Sequence, residues 1–426
     1  MKNTYREMKD SGVAWIGAIP TIWDTKHLFQ LTIQVKNKNS ALLEQNLLSL
    51  SYGKIKRKSI ETTEGLLPAS FDNYNIVEKD DIVLRLTDLQ NDHTSLRVGK
   101  VEEKGIITSA YVSVRPVLGV SKYIYYALHS FDLKKGFYGM GSGVRQGLNF
   151  TEAKMIRIPF PELPEQTAIA AYLDEKCGTI DEIIAEAKAS IEEYKAWKSS
   201  VIFEAVTKGL DPHAEMKDSG VEWIGKVPKI WKVTSLKRVS RIQTGNTPSK
   251  QSQENYYSDD DGTPWIKADN LGTCNSIETT SEYLTAKGVE AARLNPENTV
   301  YVCCIGTIGK TGFSTKKCTC NQQINAVVFN DLMFWKFGFY SICAQEEQHW
   351  FYANGNVLKI LNTENQKNIK ITIPPMKEQR CIVDYLDEKC AAIDGIIAEK
   401  EALITDMEAY KKSLIFETVT GKRKVC

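Results

Sequence analysis

The side chains best equipped for chemistry lie in short runs punctuated by glycine, and their types suit the recognition of a polyanion. Ser51-Tyr-Gly-Lys-Ile-Lys-Arg-Lys58 gathers Tyr52, Lys54, Lys56, Arg57 and Lys58, cations beside an aromatic ring, which can hold phosphates and stack on a base. Thr87–His93 adds Gln90, Asn91 and His93, whose amide and ring groups match the donors and acceptors on base edges. The loop Gly139-Met-Gly-Ser-Gly-Val-Arg-Gln-Gly147 carries Arg145 and Gln146, the types that bond guanine and adenine. In the second half Thr244, Asn246 and Thr247, then Lys267, Asp269 and Asn270, then Lys310, Gln322, Gln323 and Lys359 offer the same chemistry. A solvated turn has a similar composition, so the argument rests on the set and not on any one residue.

Bond-making machinery is not visible. The glycine loop at 139–147 follows Lys134-Lys-Gly-Phe-Tyr138 rather than a buried strand and has no Gly-Lys-Ser/Thr ending, which argues against a cradle for nucleotide phosphates. There is no Asn-Pro-Pro-Tyr type of methyltransferase motif, no His-Glu-x-x-His and no Gly-x-Ser-x-Gly, and the five histidines are scattered. Ten cysteines without regular spacing, Cys303-Cys304 and Cys318-x-Cys320 included, read as reduced structural thiols and not as zinc ligands. The expectation is a binder with no catalytic residues and no metal or cofactor of its own. No apolar run approaches the length of a membrane span, and the polar start Met-Lys-Asn-Thr-Tyr-Arg-Glu is unlike a signal peptide, so a cytoplasmic protein is expected.

The elements that must position these loops are duplicated. Residues Glu165–Lys208 and Glu378–Gly421 both open on Glu-Gln, contain Tyr-Leu-Asp-Glu-Lys-Cys and close on Ile-Phe-Glu-x-Val-Thr. Leu173, Cys177, Ile180, Ile184, Ala187, Ile191, Tyr194, Lys198 and Val201 alternate steps of four and three, the spacing of a coiled-coil seam, and the same register recurs from Leu386 to Leu414. At ~1.5 Å per residue each would reach roughly 65 Å, a length best buried against the other copy. Lys198 and Lys411 interrupt the seam, so leucine should be tolerated there. A second repeat precedes each insert: Met8–Trp23 and Met216–Trp231 are identical at 12 of 16 positions. Between these flanks the inserts, residues 24–140 and 232–353, share little sequence. Charge follows the same division: Lys+Arg against Asp+Glu is 19 to 14 over residues 24–157 and 15 to 13 over 232–372, but 5 to 12 over 158–215 and 9 to 10 over 373–426. A polyanion is drawn weakly to the inserts and repelled by the helices.

The frame Lys-Asp-Ser-Gly-Val-x-Trp-Ile-Gly-x-x-Pro-x-x-Trp, Thr244–Ser249, Thr263–Leu271, Ile305-Gly-Thr-Ile-Gly-Lys310 and the Ile-Pro-x-Pro…Glu-Gln helix starts together resemble the specificity subunit of type I restriction–modification systems. The likeness spans nearly the whole chain; the first insert departs most, with Ser51–Lys58 and Leu84–Asp88 in place of the Gly-Thr-Pro and Gly-Thr-Ile-Gly-Lys elements. The expected fold is α+β, with two tandem α/β target-recognition domains separated by two long helices packed as an antiparallel coiled coil in a pseudo-two-fold repeat. The domains are expected at residues 1–157 and 216–372 and the helices at 158–215 and 373–426. The resemblance implies a non-catalytic subunit that reads a bipartite site in double-stranded DNA, partnered by two modification subunits using S-adenosylmethionine and by restriction subunits using ATP and Mg²⁺. The contrasting expectation is a coiled-coil scaffold with two protein-binding domains, which would show no salt-dependent affinity for DNA.

Overall fold

The computed structural model describes residues 5–60, 70–92, 94–140, 147–249, 256–258, 261–356 and 358–425. The chain divides into two units, Met1–Lys188 with Glu401–Cys426, and Ala189–Lys400. The long helices run from Leu163 to Lys208 and from Met376 to Val419, so each unit holds part of both.

The first unit has a four-stranded antiparallel sheet in the order Thr32–Gln34, Val112–Pro116, Ile82–Leu84, Val98–Lys100. A second sheet, Lys54–Lys58, Leu47–Ser51, Gly105–Ile107, Asn75–Val77, leaves the basic strand Lys54–Lys58 at its edge. The alternation of Ile106–Arg115 predicts one strand, but the structure has two strands in different sheets, because Tyr111 N–H bonds the Thr108 carbonyl and turns the chain between them. Leu28, Ile82, Leu84, Val98, Val114, Ile124, Leu128 and Phe137 close the core between the first sheet and the helix Ser121–Leu133.

The second unit repeats this plan in a different sequence. Its main sheet runs Ser240–Thr244, Ile324–Phe329, Thr299–Cys303, Thr311–Ser314, Asn275–Ser276. Taking the strands in chain order, the first four positions match those of the first unit. The run Phe334–Gln348 reads as helical in the sequence, and the structure has two helices there, Trp335–Cys343 and Glu346–Tyr352, broken where Gln345 leaves helical geometry at φ −115° and ψ 31°.

The repeated flanks explain themselves in contacts. In the first unit Trp23 donates its indole N–H to Glu165 at 2.8 Å and packs beside Gly421, whose φ of +69° ends the second long helix. In the second unit Trp231 donates to Glu378 at 3.0 Å beside Gly209, φ +77°. Gln166, buried, accepts from Val120 N–H at 2.9 Å just ahead of the helix Ser121–Leu133, and Gln379 accepts from Phe334 N–H at 2.7 Å in the same role. Asp174 accepts from Tyr126 at 2.9 Å and pairs with Lys122; Asp387 accepts from Tyr340 and Lys336 at 2.7 and 2.6 Å. Each insert is therefore fastened to its helices by the same Trp–Glu, Gln and Asp contacts.

Within each unit the two helix segments run antiparallel. Leu173, Cys177, Ile180 and Ile184 bury against Leu414, Ile415 and Val419 in the first, while Ile202 faces Leu386 and Cys390 in the second. Lys198 and Lys411 do not merely interrupt the seam. Lys411 bonds Asp181 at 2.6 Å in the first unit, and Lys198 bonds Asp394 at 2.7 Å in the second. These four residues exchange places under the internal repeat, so one cross-helix ion pair occurs twice.

Candidate nucleic-acid interface

In the second unit the polar segments singled out in the sequence converge. Gly245 N–H bonds the Ile324 carbonyl, Asn246 N–H the Cys320 carbonyl, and the Thr247 hydroxyl donates to Gln322, joining 244–247 to 320–324. Asn321 N–H bonds the Ile266 carbonyl, which brings Lys267, Asp269 and Asn270 to the same edge. Cys304 N–H bonds the Gln323 carbonyl, and a bridge joins Ile305 to Ile360, so Lys310 and Lys359 flank that edge. A close backbone approach makes this possible: a Cβ on Gly245 would lie 2.2 Å from the Cys320 carbonyl oxygen.

The side chains in this group divide into those already engaged and those free to meet a ligand. Thr244 donates to Asn325 at 2.8 Å, Asn246 to the Ala291 carbonyl at 2.7 Å, and Lys267 to Glu282 at 2.6 Å while lying over the Trp265 ring. Asn270 caps its own turn by accepting from Lys267 N–H, and Gln323 accepts from Asn321 at 3.2 Å. Asp269, Lys310 and Lys359 are exposed, as is Gln322 apart from the bond it accepts from Thr247.

In the first unit the described candidates lie on two elements, the hairpin of the second sheet and the loop 85–92. Tyr52, at φ 47° and well exposed, and Lys54 cap the hairpin of the second sheet, where Gly53 sits against Leu96. Lys54 lies 3.6 Å from Asp181, and Arg57 is bound bidentately by Glu103, which raises the guanidinium and lowers the carboxylate. Lys56 and Lys58 make no ion pair among the described residues and share one face of an exposed edge strand. Gln90 and Asn91 are exposed at the tip of 85–92, with Asn91 donating to Asp88 at 2.8 Å. At the base of that loop the Ser95 N–H and hydroxyl hold Asp92 down to about 2. His93, Arg145 and Gln146 lie outside the described residues.

A family model described as the type I restriction modification DNA specificity domain matches residues 228–405, the second insert and the helix after it. The likeness extends beyond it: over 433 aligned residues the chain is 23% identical to the MjaVIII specificity subunit of Methanocaldococcus jannaschii, covering 96% of this chain and 94% of the relative. It is 30% identical over 157 residues to the HindI specificity subunit of Haemophilus influenzae, 36% of this chain and 33% of that one. The fold superposes with a TM-score of 0.69 and 14% identity on a chain from a structure of type I R-M complex assembly and conformational transition, covering 94% of this chain and 98% of the other. The chain is a relative of type I specificity subunits. Among the described residues no helix is long and apolar enough to cross a membrane.

Residue type marks the exposed polar groups of the second unit in the sequence, but not what shapes them. Gly245 carries a structural duty that only packing reveals. The duplicated Glu-Gln and Tyr-Leu-Asp signals were visible as a repeat, but their partners, Trp23 and Trp231 among them, lie far away in the chain.

Proposed function

We propose that this chain is the DNA-specificity subunit of a type I restriction–modification system, in which each insert reads one half of a bipartite site. The observation that carries the reading is the contrast inside one molecule. Two inserts with the same sheet order are fastened to the helices by the same contacts, yet differ in the loops that would meet a ligand. A constant mount with variable loops is what reading two different sequences requires. Base readout would come from exposed polar side chains such as Gln90, Asn91 and Gln322, at ~1–3 kcal/mol for each good bidentate contact, with Lys56, Lys58, Lys310 and Lys359 on phosphates.

The duplicated mount suits two copies of one modification subunit, and restriction subunits would join them. S-adenosylmethionine, ATP and Mg²⁺ belong to those partners, and this chain contributes address rather than chemistry. The test is genome-wide adenine methylation in cells with the modification subunit, with and without this chain. Loss of a single split motif on removing the chain is the expected result. Unchanged methylation, together with no salt-dependent DNA binding by the purified complex, would refute the reading.

A further inference from the structure

One cation of the first unit is not at the surface at all. Arg97 is fully buried, and its five guanidinium N–H groups meet five oxygens. Nε donates to the Tyr138 hydroxyl at 3.1 Å. One terminal nitrogen donates to the carbonyls of Arg85 and Thr87 at 3.1 and 2.8 Å. The other donates to the carbonyls of Asp88, at 3.3 Å, and Asp92. The guanidinium carbon lies 5.0 Å over the Tyr138 ring, and the Tyr138 hydroxyl itself donates to the Asp92 carbonyl at 3.0 Å. All four carbonyls belong to the segment 85–92, whose outer surface carries Gln90 and Asn91.

A loop that turns its carbonyls inward normally loses them to burial, at ~1–3 kcal/mol for each one left unpaired. Here one planar group with five fixed donors satisfies them, and their dipoles replace the water that the buried charge has lost. The loop's own backbone bond, from Asp92 N–H to the Asp88 carbonyl, is long at 3.3 Å. Leu89, fully buried, pins the middle of the segment to the core. What remains adjustable is the path from Asp88 to Asp92, and the guanidinium holds both ends of it.

We infer that Arg97 is a positioning residue for DNA recognition by the first unit: it meets no DNA, and the shape it imposes on residues 85–92 sets where Gln90 and Asn91 face the first half-site. This rests on the specificity-subunit reading above. A purely structural arginine would stabilise the unit without deciding which bases it accepts, so the test must separate stability from discrimination.

The experiment uses the complete complex of this chain with its modification subunits, carrying Arg97→Lys, or Gln90→Ala with Asn91→Ala. Two quantities are read: hydrogen-exchange protection over residues 85–95, and discrimination against single-base changes in each half-site. The Gln90/Asn91 variant should lose discrimination in one half-site with protection intact, which identifies that half-site. Arg97→Lys keeps the charge but offers three donors on a point ammonium, so it should lower protection and cut discrimination in that same half-site about tenfold, with the other half-site unchanged. Tyr138→Phe removes one of the five acceptors, and it should give a smaller loss confined to the same half-site even if Arg97→Lys fails to assemble. Retained protection in Arg97→Lys, retained discrimination despite lost protection, or equal loss in both half-sites would each overturn the inference. A wild-type complex that discriminates at neither half-site would instead remove the specificity reading, and the inference with it.

Discussion

The loop between Leu84 and Val98 in the first unit and the loop between Cys303 and Thr311 in the second join strands at matching positions of the two sheets, yet they are shaped by opposite means. The first is long, has a single left-handed residue among those described, Asp88 at φ 57°, and is filled from below by the Arg97 guanidinium. The second is short and closes on itself: Cys303 N–H bonds the Lys310 carbonyl, Gly309 N–H the Cys303 carbonyl, and the Thr307 hydroxyl donates to Cys303 Sγ at 3.4 Å. Its two turns need Gly306 at φ +83° and Gly309 at φ +92°. A shared sheet thus supports reading loops whose internal designs have nothing in common. The first loop is held by a single side chain at its own C-terminal end, which bonds backbone carbonyls and leaves the side chains of 86–92 free to vary, whereas the second depends on glycine at two of its turn positions.

The strongest way to break the comparison is to disturb the second unit's backbone and ask whether the first responds. Gly245→Ala puts a Cβ within 2.4 Å of both the Cys320 and Asn321 carbonyl oxygens, neither of which belongs to a flexible side chain. A loss of about 3 kcal/mol or more is expected in the second unit. Hydrogen exchange read separately over the two units would show it, and an equal loss in the first unit would contradict their independence.

The next effect is acid. His349 is buried beside Gly309, with neither ring nitrogen partnered among the described residues, and burial lowers it from its ordinary 6.5 to about 4. A base with a depressed folded value contributes stability above the unfolded value and loses it as pH falls, here between 6.5 and about 4, at up to about 3 kcal/mol. In the first unit burial lowers His129 in the same way, but it also raises Asp132, which accepts from Arg97 N–H at 2.6 Å, to about 6. A raised acid works in the opposite direction, adding stability as pH falls from about 6 toward 4 and offsetting part of the loss. Between pH 7 and 4.5 the second unit should therefore lose protection first, and His349→Gln should reduce that difference; no change in the variant would refute the assignment.

Legibility in the sequence tracked the distance over which each feature is set. The long helices came from a period that repeats every seven residues, and the duplicated flanks from identity, so both were plain. The strand Ile106–Arg115 misled because alternation persists through a turn made by Thr108 and Tyr111, which local pattern does not mark. The candidates Gln90, Asn91, Lys310 and Gln322 were singled out because recognition chemistry is a property of residue type, and the structure leaves all four exposed. Arg97 was passed over for the same reason, since an arginine between Leu96 and Val98 looks like any surface cation until the four carbonyls of 85–92 and the Tyr138 hydroxyl around it are counted. Lys54 and Arg57 show the converse: their type suits phosphate, and the structure adds the acidic neighbours that type does not reveal, Asp181 and Glu103.

A smaller effect sharpens the contrast between the loops directly. Gly309→Ala meets left-handed strain as well as the Glu346 side chain at 3.1 Å, and should cost about 1–2 kcal/mol while loosening 304–310. Asp88→Gly should cost less, within about 1 kcal/mol: glycine accepts that φ and the carbonyl that Arg97 bonds remains, while the exposed Asn91 loses its acceptor. Urea denaturation of the two variants compares them, and a larger cost for Asp88→Gly would mean that the first loop depends on its own sequence after all.

The smallest expected difference concerns the ion pair that occurs twice. Burial opposes the charge on Lys198, yet the hydrogen bond and charge of Asp394 hold its ammonium above the usual lysine range. Leucine at either lysine would extend the apolar seam, a gain of order 1 kcal/mol, against the loss of a partly exposed pair worth 0 to about 1 kcal/mol. The two positions differ in what they leave behind. Asp181 keeps Lys54 at 3.6 Å when Lys411 is replaced, whereas the described residues offer Asp394 no second cation. Lys411→Leu should therefore be neutral or slightly stabilising, and Lys198→Leu should be less favourable by about 0.5 kcal/mol. Denaturation midpoints of the two variants and of Lys54→Ala with Lys411→Leu decide it: if the added Lys54 substitution does not lower the stability of the Lys411 variant, the hairpin lysine takes no part in holding Asp181 and the two ends of the repeat are energetically alike.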